Sequence, residues 1–232
     1  MIDFTPWSQM LQTYVVNGQV DYTRWKKESA QDLDQWLDSL QTTQLKAMDK
    51  KSAIALLINL YNALVIQQVL KRYPIGSIRP NVLGVPNWAS FLLFFKQSVY
   101  TLGDRTLSLD NIEQDILRAQ YDESRIHFAL VCASTGCPLL RAEAYSPDLV
   151  LDQLEADAQR FISDTTKVNY DTASNTLYCS KIFKWYEDDF VATAGSVPSY
   201  IQTYLTDATL LPSVNIAYLP YSWQLNDQRT SS

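Results

Sequence analysis

Residues 49–72 constrain the fold of this 232-residue chain more than any other part of the sequence. Apolar residues recur through this segment at helical spacing, and they cover much more than one stripe of the helical surface. These residues are Ile54, Leu57, Ile58, Tyr61, Leu64, Val65 and Val69. A helix that is apolar on most sides must be surrounded by protein. We therefore expect a buried central helix that ends before Pro74 and Gly76.

The same segment has to be weighed against a membrane span, which needs about 20 predominantly apolar residues. Its longest apolar run, residues 53–69, is interrupted by four amide side chains: Asn59, Asn62, Gln67 and Gln68. This pattern favours a buried helix, and we expect no membrane partner. The first residues of the chain also lack the basic region and the small-residue cleavage site that are typical of a secretory signal.

The rest of the pattern predicts helices, a hairpin, and then strands alternating with helices. Helices are expected at residues 4–15 and 29–40, a loop at 77–88, a hairpin at 99–107 with its turn at Gly103, and a helix at 109–119 capped by Ser108. Later strands are predicted at residues 126–132, 168–170, 176–179 and 214–219, with helices at 146–162, 181–190 and 198–205. No linker or repeat divides residues 1–232. The prediction is therefore a single α+β domain, in which a buried central helix packs against a mainly antiparallel sheet, with a disordered tail at residues 227–232.

Composition excludes one large class of partners and indicates a compartment. The net charge of −6 and the pI near 4.8 argue against nucleic-acid binding, which needs a basic surface. Three cysteines are an odd and low number, which fits a reducing cytoplasm better than a disulfide framework. We expect a cytoplasmic protein whose partner is a small-molecule or peptide substrate.

The chemistry concentrates in residues 125–138, RIHFALVCASTGCP. This stretch holds the only histidine, His127, and two of the three cysteines, Cys132 and Cys137. A thiolate that attacks and an imidazole that takes and returns the proton are the minimum for thiol nucleophile chemistry. Cys137 precedes Pro138 at the predicted start of a short helix, and a helix N-terminus favours a thiolate. We expect Cys137, or failing that Cys132, to attack, with His127 as base and then acid.

Other roles remain open for the same residues. Cys132 can be a small buried apolar side chain, and His127 a hydrogen-bonded core histidine. The two cysteines can pair as a disulfide, which a reducing compartment disfavours. With His127 they offer three zinc ligands, but at a spacing unlike familiar zinc sites, so no metal and no cofactor is expected. Cys179 is expected to be structural.

Three further polar residues have two interpretations each. Glu113 lies at the edge of an apolar helix face, either solvated or as an orienting group for His127 or a general acid/base. Asn59 and Asn62, three residues apart on the central helix, share a side, and buried amides need partners. They either tie down a neighbouring loop or line a pocket, as oxyanion donors or, for Asn62, as the group that orients His127. Backbone amides near Gly136 are the alternative oxyanion donors.

Four segments in order resemble the domain-of-unknown-function 547 family (DUF547): INLYNALVI (58–66), SLDNIEQDILR (108–118), RIHFALVCASTGCPLLRAEAY (125–145) and SKIFKWYEDDF (180–190). The resemblance extends over about residues 4–226. It implies no established activity. The family pattern carries over onto Asn59, Asn62, Glu113, Arg118, His127, Cys132, Ser134, Cys137, Pro138, Lys181, Trp185 and Tyr186.

The chain departs from this resemblance at three positions. Similar sequences commonly have histidines where this chain has Gln68 and Gln114, and an aspartate where it has Ser222. Chemistry that ran through those positions would be lost here, whereas chemistry through His127 and a thiol would survive.

These observations lead to one main hypothesis and one alternative. The main hypothesis is a thiol-dependent hydrolase or acyltransferase that acts on an amide, ester or thioester of a small peptide-like substrate. Cys137, Cys132, His127 and Glu113 would be catalytic, and Asn59, Asn62, Arg118 and Ser134 would bind the substrate. The layout is also that of papain-like and transglutaminase-like enzymes, which is an analogy of fold only. The alternative is a non-catalytic ligand-binding or protein-interaction domain.

Overall fold

The computed structural model describes residues 2–82, 85–206, 208–211 and 213–228 of the chain. Its N-terminal part consists of four helices, α1 (Thr5–Tyr14), α2 (Tyr22–Glu28), α3 (Ala30–Leu40) and α4 (Lys50–Arg72). A hairpin of β1 (Val15–Val16) and β2 (Gln19–Val20) connects the first two. The periodicity predicts α1, α3 and α4 to within one residue at each end. It misses α2, which is only seven residues long.

The predicted burial of α4 is confirmed. Its first turn is capped by the Asp49 carboxylate, which accepts the Ser52 N–H, and every side chain from residue 53 to residue 66 is buried. The helices α2 and α3 pack on one side of it. Within the described part of the chain it is the one helix long and apolar enough to cross a membrane, but 94% of its most apolar stretch is buried inside the protein.

The middle of the chain forms hairpins and a widened helix. In order, it contains β3 (Asn81–Val82), β4 (Val85–Pro86), α5 (Trp88–Lys96), β5 (Tyr100–Leu102), β6 (Arg105–Leu107), a π-helix (Asn111–Arg118) and α6 (Ala119–Tyr121). The predicted turn at Gly103 is confirmed, with φ +60°. The predicted cap is confirmed as well, because Ser108 and Asn111 exchange side-chain bonds to each other's backbone N–H at 3.0 Å. The helix α5 was not predicted, and β3 and β4 lie in the predicted loop.

The strand predicted at residues 126–132 is wrong. Residues Ser124–Phe128 form a 3₁₀-helix, and no strand follows before Cys132. A short run buried on all sides has no alternation from which its backbone type can be read. The side chain of Asn62 takes the place of a neighbouring strand, because it donates to the Ala129 carbonyl and accepts from the Val131 N–H, both at 2.9 Å. The short helix predicted from Pro138 is also absent.

The C-terminal part contains α7 (Val150–Ser163), β7 (Val168–Asp171), β8 (Thr176–Cys179), α8 (Ile182–Trp185), α9 (Glu187–Ala194), α10 (Val197–Gln202) and β9 (Asn215–Tyr218). The single helix predicted at 181–190 is divided into α8 and α9 at Tyr186, which leaves the helical conformation. α7 begins four residues later than predicted, because the residues after Ser146 first form a turn. α10 ends before the predicted residue 205.

Most strand pairing is antiparallel, but it is divided among small separate sheets. Among the described residues there are three two-stranded hairpins and one three-stranded sheet with the order β7-β8-β9, in which β8 and β9 are parallel. One apolar core surrounds α4, and a second lies between β7, β8 and helices α7 to α10. The chain is thus an α+β domain with a buried central helix and small, mainly antiparallel sheets.

The prediction of a tail without anchors from residue 227 does not hold for Asp227 and Gln228. Asp227 is buried and accepts a bond from the Tyr73 hydroxyl at 2.6 Å, and Gln228 donates to backbone carbonyls of α1 and β2. The segment ahead of them is held by backbone bonds to Val20, Gly76 and the loop after Cys132. Polarity alone did not reveal these partners, which lie far away in the sequence. Residues 229–232 lie outside the described part of the chain.

Candidate functional site

A cleft of about 380 Å³ lies between α5, the π-helix, α8 and the segment at residues 221–223. A cavity of this size is typical of small-molecule sites. One side is apolar and aromatic, and the other carries the polar groups. The lining includes Trp88, Phe91, Leu92, Phe95, Glu113, Gln114, His127, Cys132, Cys137, Trp185, Tyr186, Tyr221 and Trp223.

His127 lies at the base of this cleft as part of a bonded pair with Asp189. Its Nε2 is 2.7 Å from Asp189 Oδ2, and its ring stacks on Tyr186 with 3.8 Å between ring centroids. Burial alone would raise the pKa of Asp189, but bonds from His127 and Arg118 outweigh burial and hold that pKa well below its usual range. An ionised Asp189 accepts the Nε2 proton, which leaves the lone pair of the neutral ring on Nδ1.

The His127 ring is neutral near pH 7. Burial lowers the pKa of His127 below its ordinary value, and this effect outweighs the opposing bond to Asp189 and the nearby charge of Glu113. A neutral imidazole with a basic nitrogen is the form that can take a proton from a thiol.

Arg118 holds the carboxylate of Asp189, which in turn holds the imidazole of His127. Its Nε and one terminal nitrogen each lie 2.7 Å from a different oxygen of Asp189, and its guanidinium stands 5.2 Å from the centre of the Tyr186 ring. Such two-point pairing sets both distance and orientation. Arg118 therefore holds the carboxylate that is bonded to His127, and it does not line the cleft, where a substrate-binding residue is expected.

Glu113 is a second carboxylate of the cleft, held by two tyrosines. The Tyr61 hydroxyl donates to it at 3.1 Å, and the Tyr186 hydroxyl donates to its other oxygen through a short bond. Burial raises the pKa of both tyrosines well above the ordinary value, so both remain donors. Glu113 lines the cleft, and the carboxylate bonded to His127 is that of Asp189.

The two cysteines of the cleft are joined as a disulfide, so neither is the free thiol that the sequence predicts as a nucleophile. Cys132 is half-buried and Cys137 is 3% exposed, and Tyr221 Oη lies 3.3 Å from the first sulfur and 3.2 Å from the second. Ser134 is buried behind them, with its hydroxyl 3.3 Å from Cys132 Sγ, and does not reach the cleft lining. The hydroxyl of Ser134, which is predicted to bind the substrate, contacts both sulfurs in this structure.

The loop between the cysteines is fastened on two sides. The Thr135 and Gly136 N–H groups donate to Gln224 and Ser222, and the Lys167 ammonium donates to the carbonyls of Thr135 and Gly136. The backbone amides near Gly136, which were expected as oxyanion donors, are therefore engaged with the C-terminal segment. A Cβ at Gly136 would lie 2.6 Å from the Ser222 carbonyl oxygen, so this close approach requires glycine.

Asn59 and Asn62, which are predicted to bind the substrate, have hydrogen-bond partners within the protein. Asn59 accepts from the Trp7 indole and the Tyr145 N–H and donates to the Tyr145 carbonyl, and Asn62 bonds to the backbone after His127. Neither lines the cleft. Both amides tie loops to α4, as one of the two interpretations of their spacing predicts.

The three departures from the family pattern lie in different places. Gln114 lines the cleft and bonds to Glu113 and Arg118. Gln68 is buried at the base of α5, where it donates to the Phe94 carbonyl. Ser222 bonds to Thr135 of the cysteine loop at 2.6 Å. Only Gln114 replaces a titratable group within the cleft itself.

The sequence pattern does not single out Asp189, because this residue lies 62 residues after His127 in an ordinary run of acidic residues. The one available signal was the SKIFKWYEDDF motif, which contains it. Within the described residues, no group of three or more His, Cys, Asp or Glu side chains is placed to hold a metal ion.

Comparison with known proteins agrees with the resemblance seen in the motifs. The model of the family described as "Protein of unknown function, DUF547" matches residues 45–162, which is just over half of the chain and includes α4, the π-helix, His127 and both cysteines of the cleft. No curated protein and no solved structure matches the chain significantly. With the family's model matched over this central region, the chain belongs to the DUF547 family.

Proposed function

We propose that this protein is a thiol-dependent hydrolase or acyltransferase that acts on an amide, ester or thioester of a small acyl or peptide-like substrate. The observation that carries the proposal is that one cleft is lined by the only histidine, already paired with a carboxylate, and by two of the three cysteines. A nucleophile, a base and a group that orients the base are the parts that such chemistry requires.

Reduction of the disulfide is the first requirement. A dithiol reductant converts Cys132 and Cys137 into two thiols and itself becomes a disulfide. The proposed site of action is therefore a reducing compartment such as the cytoplasm, which the low cysteine count also favours. Cys132 is the more exposed of the two sulfurs, so we assign it the attack and give Cys137 the role of its partner in the oxidised form.

The chemical step follows from the protonation state of His127. Its neutral Nδ1 takes the thiol proton, and the thiolate of Cys132 attacks the carbonyl carbon, so a carbon–sulfur bond forms and the oxygen becomes negative. When the carbonyl re-forms, the bond to the amine, alcohol or thiol breaks and that group leaves with the proton from His127. Water, or another acceptor, then attacks the thioester with the same help, and the proton returns to the sulfur.

Tyr221 is suited to stabilise the negative oxygen. Its hydroxyl lies 3.3 Å from Cys132 Sγ, and burial raises the pKa of Tyr221 far above its ordinary value, which keeps the phenol neutral and able to donate. Glu113 accepts a bond from Tyr186 and lines the cleft, and we assign it to bind an amino or hydroxyl group of the substrate.

A non-catalytic ligand-binding role is the second candidate. It is favoured by the pairing of the two cleft cysteines, which leaves no thiol in the cleft, and by Gln114 at a cleft position where a histidine is expected from the resemblance. In that case the oxidised protein would be the working form.

Ester hydrolysis separates the two candidates. The protein is reduced with a dithiol, freed of the reductant, and assayed with p-nitrophenyl acetate beside the oxidised protein. We expect turnover only in the reduced form, abolished by Cys132→Ser and kept by Cys179→Ala, which removes the buried cysteine outside the cleft. Equal rates for the reduced protein and the Cys132→Ser variant would overturn the proposal.

A further inference from the structure

The apolar side of the cleft continues onto the surface of the protein through α5. Phe94 anchors this helix in the core, with Phe91 and Phe95 packed against its edge. Trp88 and Leu92 line the cleft together with Phe91 and Phe95, and they remain 54% and 48% exposed. Exposed apolar side chains that adjoin an apolar cleft form a larger patch, and such patches mark ligand-binding grooves and interaction sites.

An unbroken series of ring contacts joins this surface to the sulfurs. Trp88 meets Phe91 at 5.7 Å between centroids, Phe91 meets Trp223 at 4.8 Å, and Trp223 meets Tyr221 at 4.7 Å. The Tyr221 hydroxyl lies 3.3 Å from Cys132 Sγ. The series therefore forms an aromatic wall that leads from the outer end of the cleft to the proposed nucleophile.

The wall is braced by Arg79, and the one basic residue that α5 adds to the cleft lining is Lys96, at the end of that helix. The Arg79 guanidinium stands 5.2 Å from the centre of the Trp88 ring and 5.0 Å from that of Trp223, and so links α5 to the C-terminal segment. The acidic groups of the lining, Asp110 and Glu113, come from the opposite side, at the start of the π-helix and within it. A polar peptide would leave its backbone groups without partners along such a wall.

We propose that the group bound along this wall is an apolar acyl chain of medium length, attached through the carbonyl that Cys132 attacks. This inference rests on the proposed function for the position of the carbonyl, and it adds the substrate class: a medium-chain acyl ester, thioester or amide. The chain lies against Trp88, Leu92 and Trp223, and its carbonyl reaches Tyr221.

Binding is tested first, with decanoate below its micelle-forming concentration as the probe and tryptophan fluorescence as the readout. Trp88, Trp185 and Trp223 line the cleft, so occupancy is expected to change the emission. We expect saturable binding that is weakened about tenfold by Leu92→Gln and unchanged by Leu93→Gln. Leu93 is the neighbouring residue of α5, is 60% exposed, and does not line the cleft, so it controls for solubility and helix stability. Absence of binding, or equal weakening in both variants, would overturn the inference.

Catalysis is tested separately, with p-nitrophenyl acetate and p-nitrophenyl decanoate as substrates of the reduced protein. We expect kcat/KM to be at least tenfold higher for the decanoate ester and Leu92→Gln to remove that preference. Decanoate binding without hydrolysis of either ester would keep the acyl site and overturn the thiol mechanism. Equal hydrolysis of both esters without decanoate binding would keep the thiol mechanism and overturn the acyl site.

Discussion

The carboxylate of Asp189 lies 2.7 Å from Nε2 of His127, and both of its oxygens accept hydrogen bonds from Arg118. Asp189 comes from α9 and Arg118 from the end of the π-helix, so two elements far apart in the chain hold one imidazole in one orientation. The ring cannot rotate without losing this bond and its stacking on Tyr186. With the Nε2 proton donated to Asp189, the lone pair of the neutral ring is on Nδ1.

Removing the charge of Asp189 should impair the reaction without emptying the cleft. For Asp189→Asn we expect kcat/KM for p-nitrophenyl acetate to fall by about 10² or more, the range that acid–base assistance supplies. Because the Asp189 bond opposes the burial that lowers the pKa of His127, its loss should lower that pKa further and move the acid limb of the pH–rate profile to lower pH.

The matched control for this variant is Asp188→Asn, which changes an exposed carboxylate on the preceding residue of α9. It should leave both the rate and the pH profile as in the natural protein. A shift of the acid limb to higher pH in Asp189→Asn would contradict the assignment of this aspartate as the orienting group.

The buried ring of His127 should make the protein less stable in mild acid. Burial lowers its folded-state pKa below the ordinary 6.5, so the unfolded chain holds the proton more tightly. The stability that comes from the neutral ring is complete above pH 6.5 and is lost as the pH falls through the folded-state value. Asp189 contributes no pH dependence of stability in this range, because the stability that its ionised carboxylate supplies begins to be lost only below about pH 4.

We expect urea unfolding to give a lower midpoint at pH 5.0 than at pH 7.5, and His127→Gln to make that difference smaller. The comparison within each protein removes the cost of the substitution itself. An unchanged difference in the variant would mean that other groups carry the pH dependence.

The amide of Asn62 should matter for stability and not for substrate affinity. In Asn62→Leu the Ala129 carbonyl and the Val131 N–H lose their buried partner, and each unsatisfied group costs roughly 1–3 kcal/mol. We expect a loss of at least about 2 kcal/mol in the free energy of unfolding, with KM unchanged. Gln67→Leu, at a half-buried position of the same helix, should cost less than about 1 kcal/mol.

The close approach at Gly136 gives a test of how the cleft is held together. A methyl group there would lie 2.6 Å from the Ser222 carbonyl oxygen and 2.8 Å from the Tyr221 ring. We expect Gly136→Ala to destabilise the protein by about 1–3 kcal/mol, the usual cost of overpacking. At Gly76 an added Cβ meets nothing within 4 Å, so Gly76→Ala should be neutral in the same urea titration. Equal effects of the two substitutions would contradict this close packing.

The elements that the sequence predicts best are those whose side chains alternate between environments or carry a cap. The hairpin at Gly103 and the cap at Ser108 are local, so four or five residues contain the whole signal. The long apolar α4 is equally clear, since only a buried helix accommodates so many apolar residues in succession.

The cleft was only half predictable, because its parts meet through the tertiary fold. Glu113, His127 and the two cysteines stand out by residue type. Asp189 does not, since one acid in the run EDD looks like its neighbours until α9 turns it toward His127. The short apolar stretch after His127 predicts a strand. The sequence does not show that the hydrogen-bond partner of this stretch is the side chain of Asn62, which lies 67 residues before Ala129.

The most direct test of the central proposal is the reactivity of each cysteine in the reduced protein. Iodoacetamide labelling across pH 5 to 9, read for each cysteine by mass spectrometry, measures which sulfur is activated. We predict fast labelling of Cys132 below pH 7, where an ordinary thiol is mostly protonated, slowed strongly by His127→Ala and by Asp189→Asn. Silence of Cys132 until the protein unfolds, or labelling that ignores both substitutions, would contradict a thiol activated by this histidine.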